Sequence, residues 1–134
     1  MSGVLVDSNV ILDVLTDDPV WGDWSSAALL DATQSSRLVI NPIVYAEASV
    51  RLPTLEEVDR LIPRDRFDRE VIPYEAAFLA GKVFLLYRQR RGVRTSPLPD
   101  FFIGAHAAIA GYRLLTRDPS RYRSYFPKLV LIAP

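Results

Sequence analysis

The sequence predicts an α/β fold in three layers, a short and mostly parallel β-sheet with helices on both faces. Three observations predict it. Short apolar runs of strand length alternate along the chain with longer segments of helical periodicity. That alternation favours parallel strands joined by helical crossovers, which cover both sheet faces. The 134 residues, 49% of them hydrophobic, suit one domain over 1–134 with a real core.

The elements follow in order. Residues 3–7 read as a buried strand ending in Asp7. Ser8 and Asn9 are capping types, and Val10, Ile11, Leu12, Val14 and Leu15 continue as a helix until Asp17-Asp18-Pro19 breaks it. Residues 21–35 form a second amphipathic helix and residues 37–40 a short strand. Asn41-Pro42 opens a helix running to about Leu52, with proline in its first turn. Pro53-Thr54 starts another, marked by Leu55, Val58, Leu61 and Ile62. Residues 69–72 are expected as a short strand and residues 74–91 as the longest helix, ended by Gly92. A loop with two prolines spans 93–99. An alanine-rich helix covers 100–111, a strand 112–116, a short helical turn begins at Asp118-Pro119, and a last strand covers 128–132.

Composition excludes several classes. The chain has no cysteine, so disulfides and thiolate metal sites are out. No apolar run is long enough to cross a bilayer, and the N-terminus lacks a basic region before its apolar stretch, so neither a membrane span nor a signal peptide is expected. A cytoplasmic location is expected. The net charge is zero, yet residues 1–59 hold ten of the sixteen acids and two bases, whereas residues 76–134 hold ten of the sixteen bases and two acids. The basic half is suited to phosphates, although mixing of the charges on a folded surface would give the same sequence.

Those two late acids, Asp100 and Asp118, fall at element junctions, as does Asp7. Parallel α/β sheets place their sites beyond the carboxyl ends of strands. Asp7 follows the first strand directly, Asp118 follows the 112–116 strand by two residues, and Asp100 opens the preceding helix. Glu47 lies on a largely apolar helix, where an acid needs a partner or a cation. Each has a structural use as well: the three aspartates could cap helices, and Glu47 could reach solvent. Clustered carboxylates repel unless a cation neutralises them, and oxygen ligands suit Mg²⁺ or Mn²⁺. With His106 as the sole histidine, a zinc site is not expected; His106 reads as a packing residue or one behind the site.

One or two such ions could activate water against a phosphodiester, with a basic face holding the backbone. Candidates for that face are Lys82, Arg88, Arg90, Arg91 and Arg94, then Arg117, Arg121 and Arg123. Tyr112, Tyr122 and Tyr125 lie among the latter group. They could stack on bases or fill the edge of the core.

Four segments in order resemble the PIN domain, and among PIN domains the VapC toxins. They are Val4-Leu5-Val6-Asp7-Ser8-Asn9-Val10-Ile11-Leu12-Asp13, Tyr45-Ala46-Glu47, Pro99-Asp100-Phe101-Phe102-Ile103-Gly104-Ala105-His106-Ala107 and Leu115-Thr116-Arg117-Asp118. The resemblance covers nearly the whole chain, and its strength lies in the four segments together. It implies that Asp7, Glu47, Asp100 and Asp118 form the catalytic acidic site, with Asp7, Asp100 and Asp118 as metal ligands. Ser8, Asn9 and Thr116 would support them from behind. It implies a Mg²⁺- or Mn²⁺-dependent ribonuclease acting on transfer or ribosomal RNA, a homodimer, and inhibition by a VapB-like antitoxin.

A phosphatase of the haloacid dehalogenase type also puts an aspartate after strand one, but it needs a second two residues later, where this chain has Asn9. A receiver domain would want paired acids there and a late-strand lysine. A PIN module that binds without cutting, and an RNA-processing PIN nuclease outside any toxin pair, remain the rivals within the fold.

Overall fold

A computed structural model describes residues 2–95 and 98–134. The loop expected over 93–99 is therefore described except at Ser96 and Pro97, which lie outside those residues.

Among the described residues five strands form one sheet in the order β3-β2-β1-β4-β5, and every pairing is parallel. β1 (Gly3–Val6) is buried along its whole length, which explains its unbroken apolar sequence. β2 (Arg37–Ile40) pairs with one side of β1 and β4 (Arg113–Leu115) with the other. The chain thus builds outward through β2 to β3 (Phe67–Arg69), returns across the sheet, and continues through β4 to β5 (Leu131–Ile132). The reversal leaves a crevice beyond the carboxyl ends of β1 and β4, the usual place for a site in such sheets.

Helices cover both faces. α1 (Ser8–Leu15) packs on α2 (Gly22–Ser35) and α3 (Pro42–Ser49), and α3 on α4 (Leu55–Leu61). α5 (Tyr74–Gln89) packs along α6 (Pro99–Ala110), and α7 (Ser120–Tyr125) packs on α6. α3 starts as its sequence dictates, with the Asn41 side chain accepting from the Val44 backbone N–H at 3.0 Å and Pro42 in the first turn. Where α6 meets α7, Gly104 has no room for a side chain: a Cβ there would stand 2.5 Å from the Phe126 ring.

Several boundaries differ from expectation. β3 lies at Phe67–Arg69, not 69–72: Phe67 is the residue that inserts into the core opposite Leu38, while Val71 is exposed. α3 stops at Ser49, short of Leu52. α5 stops at Gln89, and the left-handed turn after it falls on Arg91 (φ 66°), not on Gly92. Gly92 is needed for a different reason, because the Tyr87 ring lies directly against its α-carbon. The expected turn at Asp118-Pro119 becomes α7, and the last strand is only two residues.

Candidate metal centre

Asp7 stands at the carboxyl end of β1 and caps α1, its Oδ1 accepting from the Ser8 backbone N–H at 2.8 Å. Its Oδ2 accepts from the hydroxyls of Thr116 and Tyr122, both at 2.9 Å, and from Asn9 Nδ2 at 3.4 Å. Capping and membership of the acid group, alternatives in the sequence, thus coincide in one side chain. Asp7 is only 4% exposed. Burial above all, then the charge of Asp100, pushes its carboxyl up to about 6; the Tyr122 and Thr116 hydrogen bonds oppose this, and Glu47 adds to it.

Glu47 reaches the same place from α3, with Oε1 accepting from the Ser8 hydroxyl at 2.9 Å. Its carboxyl is also raised, by burial and by Asp100, against the Ser8 hydrogen bond. Asp100, in the first turn of α6, is close enough for its charge to act on both, and its Oδ2 meets Arg121 Nη1 at 3.3 Å. Three acids from three elements therefore share one electrostatic environment at the crevice. Asp118 stands further out, its side chain 67% exposed, with Oδ2 meeting Arg117 Nη1 at 3.3 Å. It joins Asp100 in lining a cleft of about 510 Å³, together with Tyr87, Ser120, Arg121, Ser124 and Tyr125. Neither Asp100 nor Asp118 caps its helix through its side chain: the cap positions are Leu98 and Pro119.

The supporting residues form a single web. Thr116 Oγ1 donates to Asp7 and accepts from the Asp118 backbone N–H at 3.1 Å and from Asn9 Nδ2 at 3.3 Å. Asn9 Oδ1 accepts from the Arg117 backbone N–H at 3.1 Å, tying α1 to the turn after β4. The donor set fits a hard divalent cation. It is all oxygen, it is anionic, and Asp7 bears a burial cost that a cation would relieve. Among the described residues no three such side chains stand close enough together to hold a metal ion between them. Mutual repulsion between carboxylates is the physical reason to expect an open arrangement without an ion.

The basic candidates separate by environment. Arg90 extends from the end of α5 over the Tyr125 ring, 5.0 Å from its centre, and reaches the Ser124 hydroxyl at 3.3 Å, which puts it at the rim of the cleft. Arg88 Nη1 holds the Arg94 carbonyl at 2.7 Å, folding the loop back towards α5; Arg91 and Arg94 are exposed. Lys82 lies over Phe78 on the outer side of α5. Arg117, expected on the nucleic acid, directs Nε and Nη2 inward to Asp13 at 3.0 and 3.2 Å. Asp13 is buried and also accepts from the Ser25 hydroxyl at 2.8 Å. Tyr122 is buried and cannot stack on a base; of its two readings, the core one holds. Its hydroxyl contact with Asp7 joins positions 115 apart, and no local pattern in the sequence signals it. His106 is buried between Asn41 (3.1 Å) and Glu70 (3.3 Å).

The PIN domain pattern matches residues 4–126. The chain belongs to the PIN domain family. Its fold is similar to that of chains in VapBC2 from Rickettsia felis bound to a DNA fragment from their promoter (TM-score 0.75, 18% identity, 98% of each chain covered). It is similar also to VapBC-1 from nontypeable Haemophilus influenzae (TM-score 0.72, 16% identity, 98% and 97% covered) and to FitAcB from Neisseria gonorrhoeae (TM-score 0.64, 19% identity, 96% of each). No curated protein matches the chain.

Proposed function

We propose that this chain is a metal-dependent endoribonuclease and the toxin of a toxin–antitoxin pair of the VapBC type. The observation that carries the reading is the convergence of Asp7, Glu47 and Asp100 at the crevice beside β1, with Asp7 buried and its carboxyl raised. Membership of the PIN family and a fold shared with chains from toxin–antitoxin complexes support it. Asp7, Asp100 and, from the outer side, Asp118 would hold Mg²⁺ or Mn²⁺. Such an ion supplies positive charge that eases deprotonation of water and offsets charge on the phosphodiester oxygens. Glu47, with its carboxyl raised and held by the Ser8 hydroxyl, would take the water's proton. Arg90, with Arg88, Arg91 and Arg94 near it in sequence, would hold the RNA backbone at the cleft rim. The substrate on this reading is transfer or ribosomal RNA in the cytoplasm. The partners are a VapB-like antitoxin and a second copy of the chain.

Total cellular RNA incubated with purified protein tests the reading. Discrete fragments should appear with Mg²⁺ or Mn²⁺, vanish with EDTA, and fail to form with Asp7→Ala or Asp100→Ala. Intact RNA under all conditions, from folded protein free of partners, would favour a binding module on the same fold.

A further inference from the structure

Tyr122 poses a question that packing does not answer. It is 1% exposed, in α7, and its ring lies in the core. Phenylalanine would fill the same space without a hydroxyl to satisfy, and a buried phenol must find a partner. Its partner is Asp7 Oδ2 at 2.9 Å. A carboxylate oxygen offers about two lone-pair sites. Those of Oδ2 are filled by Thr116 and Tyr122, with Asn9 at the longer 3.4 Å. Among the described residues Oδ1 accepts only from the Ser8 backbone N–H, so one of its two lone-pair sites has no donor there. The neighbouring residue of α7, Arg121, touches Asp100, so this short helix reaches both acids.

We infer that Tyr122 is a positioning residue which, with Thr116, occupies Oδ2 of Asp7 and leaves Oδ1 as the single oxygen presented to a cation. The inference rests on the reading of Asp7 as a metal-holding acid. It has a consequence for selectivity. Mg²⁺ and Mn²⁺ accept single carboxylate oxygens in near-octahedral shells, whereas Ca²⁺ readily takes both oxygens of a carboxylate. Two hydroxyls on Oδ2 therefore bias the site towards the smaller ions. Freeing one of them lets the carboxylate turn and relaxes that bias.

Calorimetric titration with Mn²⁺ and with Ca²⁺ tests this on the wild type, Tyr122→Phe and Phe67→Leu. Phe67→Leu disturbs the core at β3, two strands over from β1 in the sheet. The wild type should prefer Mn²⁺. Tyr122→Phe should bind Mn²⁺ about tenfold more weakly, the scale of losing a contact behind a ligand, and show a narrower Mn²⁺-to-Ca²⁺ ratio. Its kcat on RNA should fall with KM nearly unchanged. Phe67→Leu should melt earlier yet keep the wild-type ratio. Tyr122→Phe within about twofold of wild type in both affinity and ratio would overturn the inference while leaving the metal site standing. A wild type that binds neither ion would overturn the metal reading, and this inference with it.

Discussion

Arg117 grips Asp13 with two nitrogens, Nε at 3.0 Å and Nη2 at 3.2 Å, across 104 positions of sequence. Asp13 is 3% exposed, so the pair is a buried clamp between α1 and the turn after β4. Removing one partner of a buried pair strands the other's charge, at about 3–5 kcal/mol. Because Arg117 is itself partly exposed, the lower end of that range is expected for Arg117→Ala. Urea denaturation measures it. Unchanged stability with weakened RNA binding would return Arg117 to the nucleic-acid face.

Asp7 makes an inverse prediction. Its carboxyl titrates near 3.8 unfolded and about 6 folded. Between those values the native state holds the proton and the unfolded state has lost it. This group's contribution therefore falls as pH rises through that window, and is lowest above it. That difference corresponds to about 3 kcal/mol. Asp7→Asn should accordingly be more stable than wild type in EDTA above about pH 6, and the difference should shrink towards pH 4. Added Mn²⁺ should raise the melting temperature of the wild type and not of the variant. A variant less stable than wild type at neutral pH would show that burial of Asp7 carries no such cost.

Arg90 is held at the cleft rim by Ser124 and Tyr125, whereas Arg91 is exposed. If both meet phosphates, Arg90→Ala and Arg91→Ala should each flatten the slope of log affinity against log salt by about 0.7 for single-stranded RNA. Arg90→Ala should also cost affinity at high salt, because it loosens Tyr125. Unchanged slopes would place the RNA on another face.

Gly104 is the close approach between α6 and α7. Gly104→Ala must displace the Phe126 ring, and overpacking of this kind costs about 1–3 kcal/mol. Thermal unfolding checks it. A variant as stable as wild type would mean that α7 shifts freely on α6.

What was legible in the sequence was local. β1, the Asn41-Pro42 start of α3 and the helix opening near Asp100 each carry their signal within a few residues. β3 was misplaced because Val71 and Ile72 look strand-like, whereas its position is set by Phe67 facing Leu38 from another strand. The acids Asp7, Glu47 and Asp100 are legible as a group rather than singly, since each alone has a capping or solvent-facing use. By residue type alone Tyr122 reads either as a stacking ring or as a core filler, and Arg117 as a phosphate ligand. Their partners, Asp7 and Asp13, are brought to them only by the return of the chain across the sheet.

The most direct test is single-turnover cleavage of one labelled RNA by wild type and Asp7→Asn, with Mn²⁺ and with EDTA. The variant should be the more stable protein yet at least about 100-fold slower, since it lacks a metal-holding carboxylate rather than its fold. EDTA should bring the wild type to the same low rate. Cleavage by Asp7→Asn at the wild-type rate, or wild-type cleavage that persists in EDTA, would contradict the metal-dependent reading.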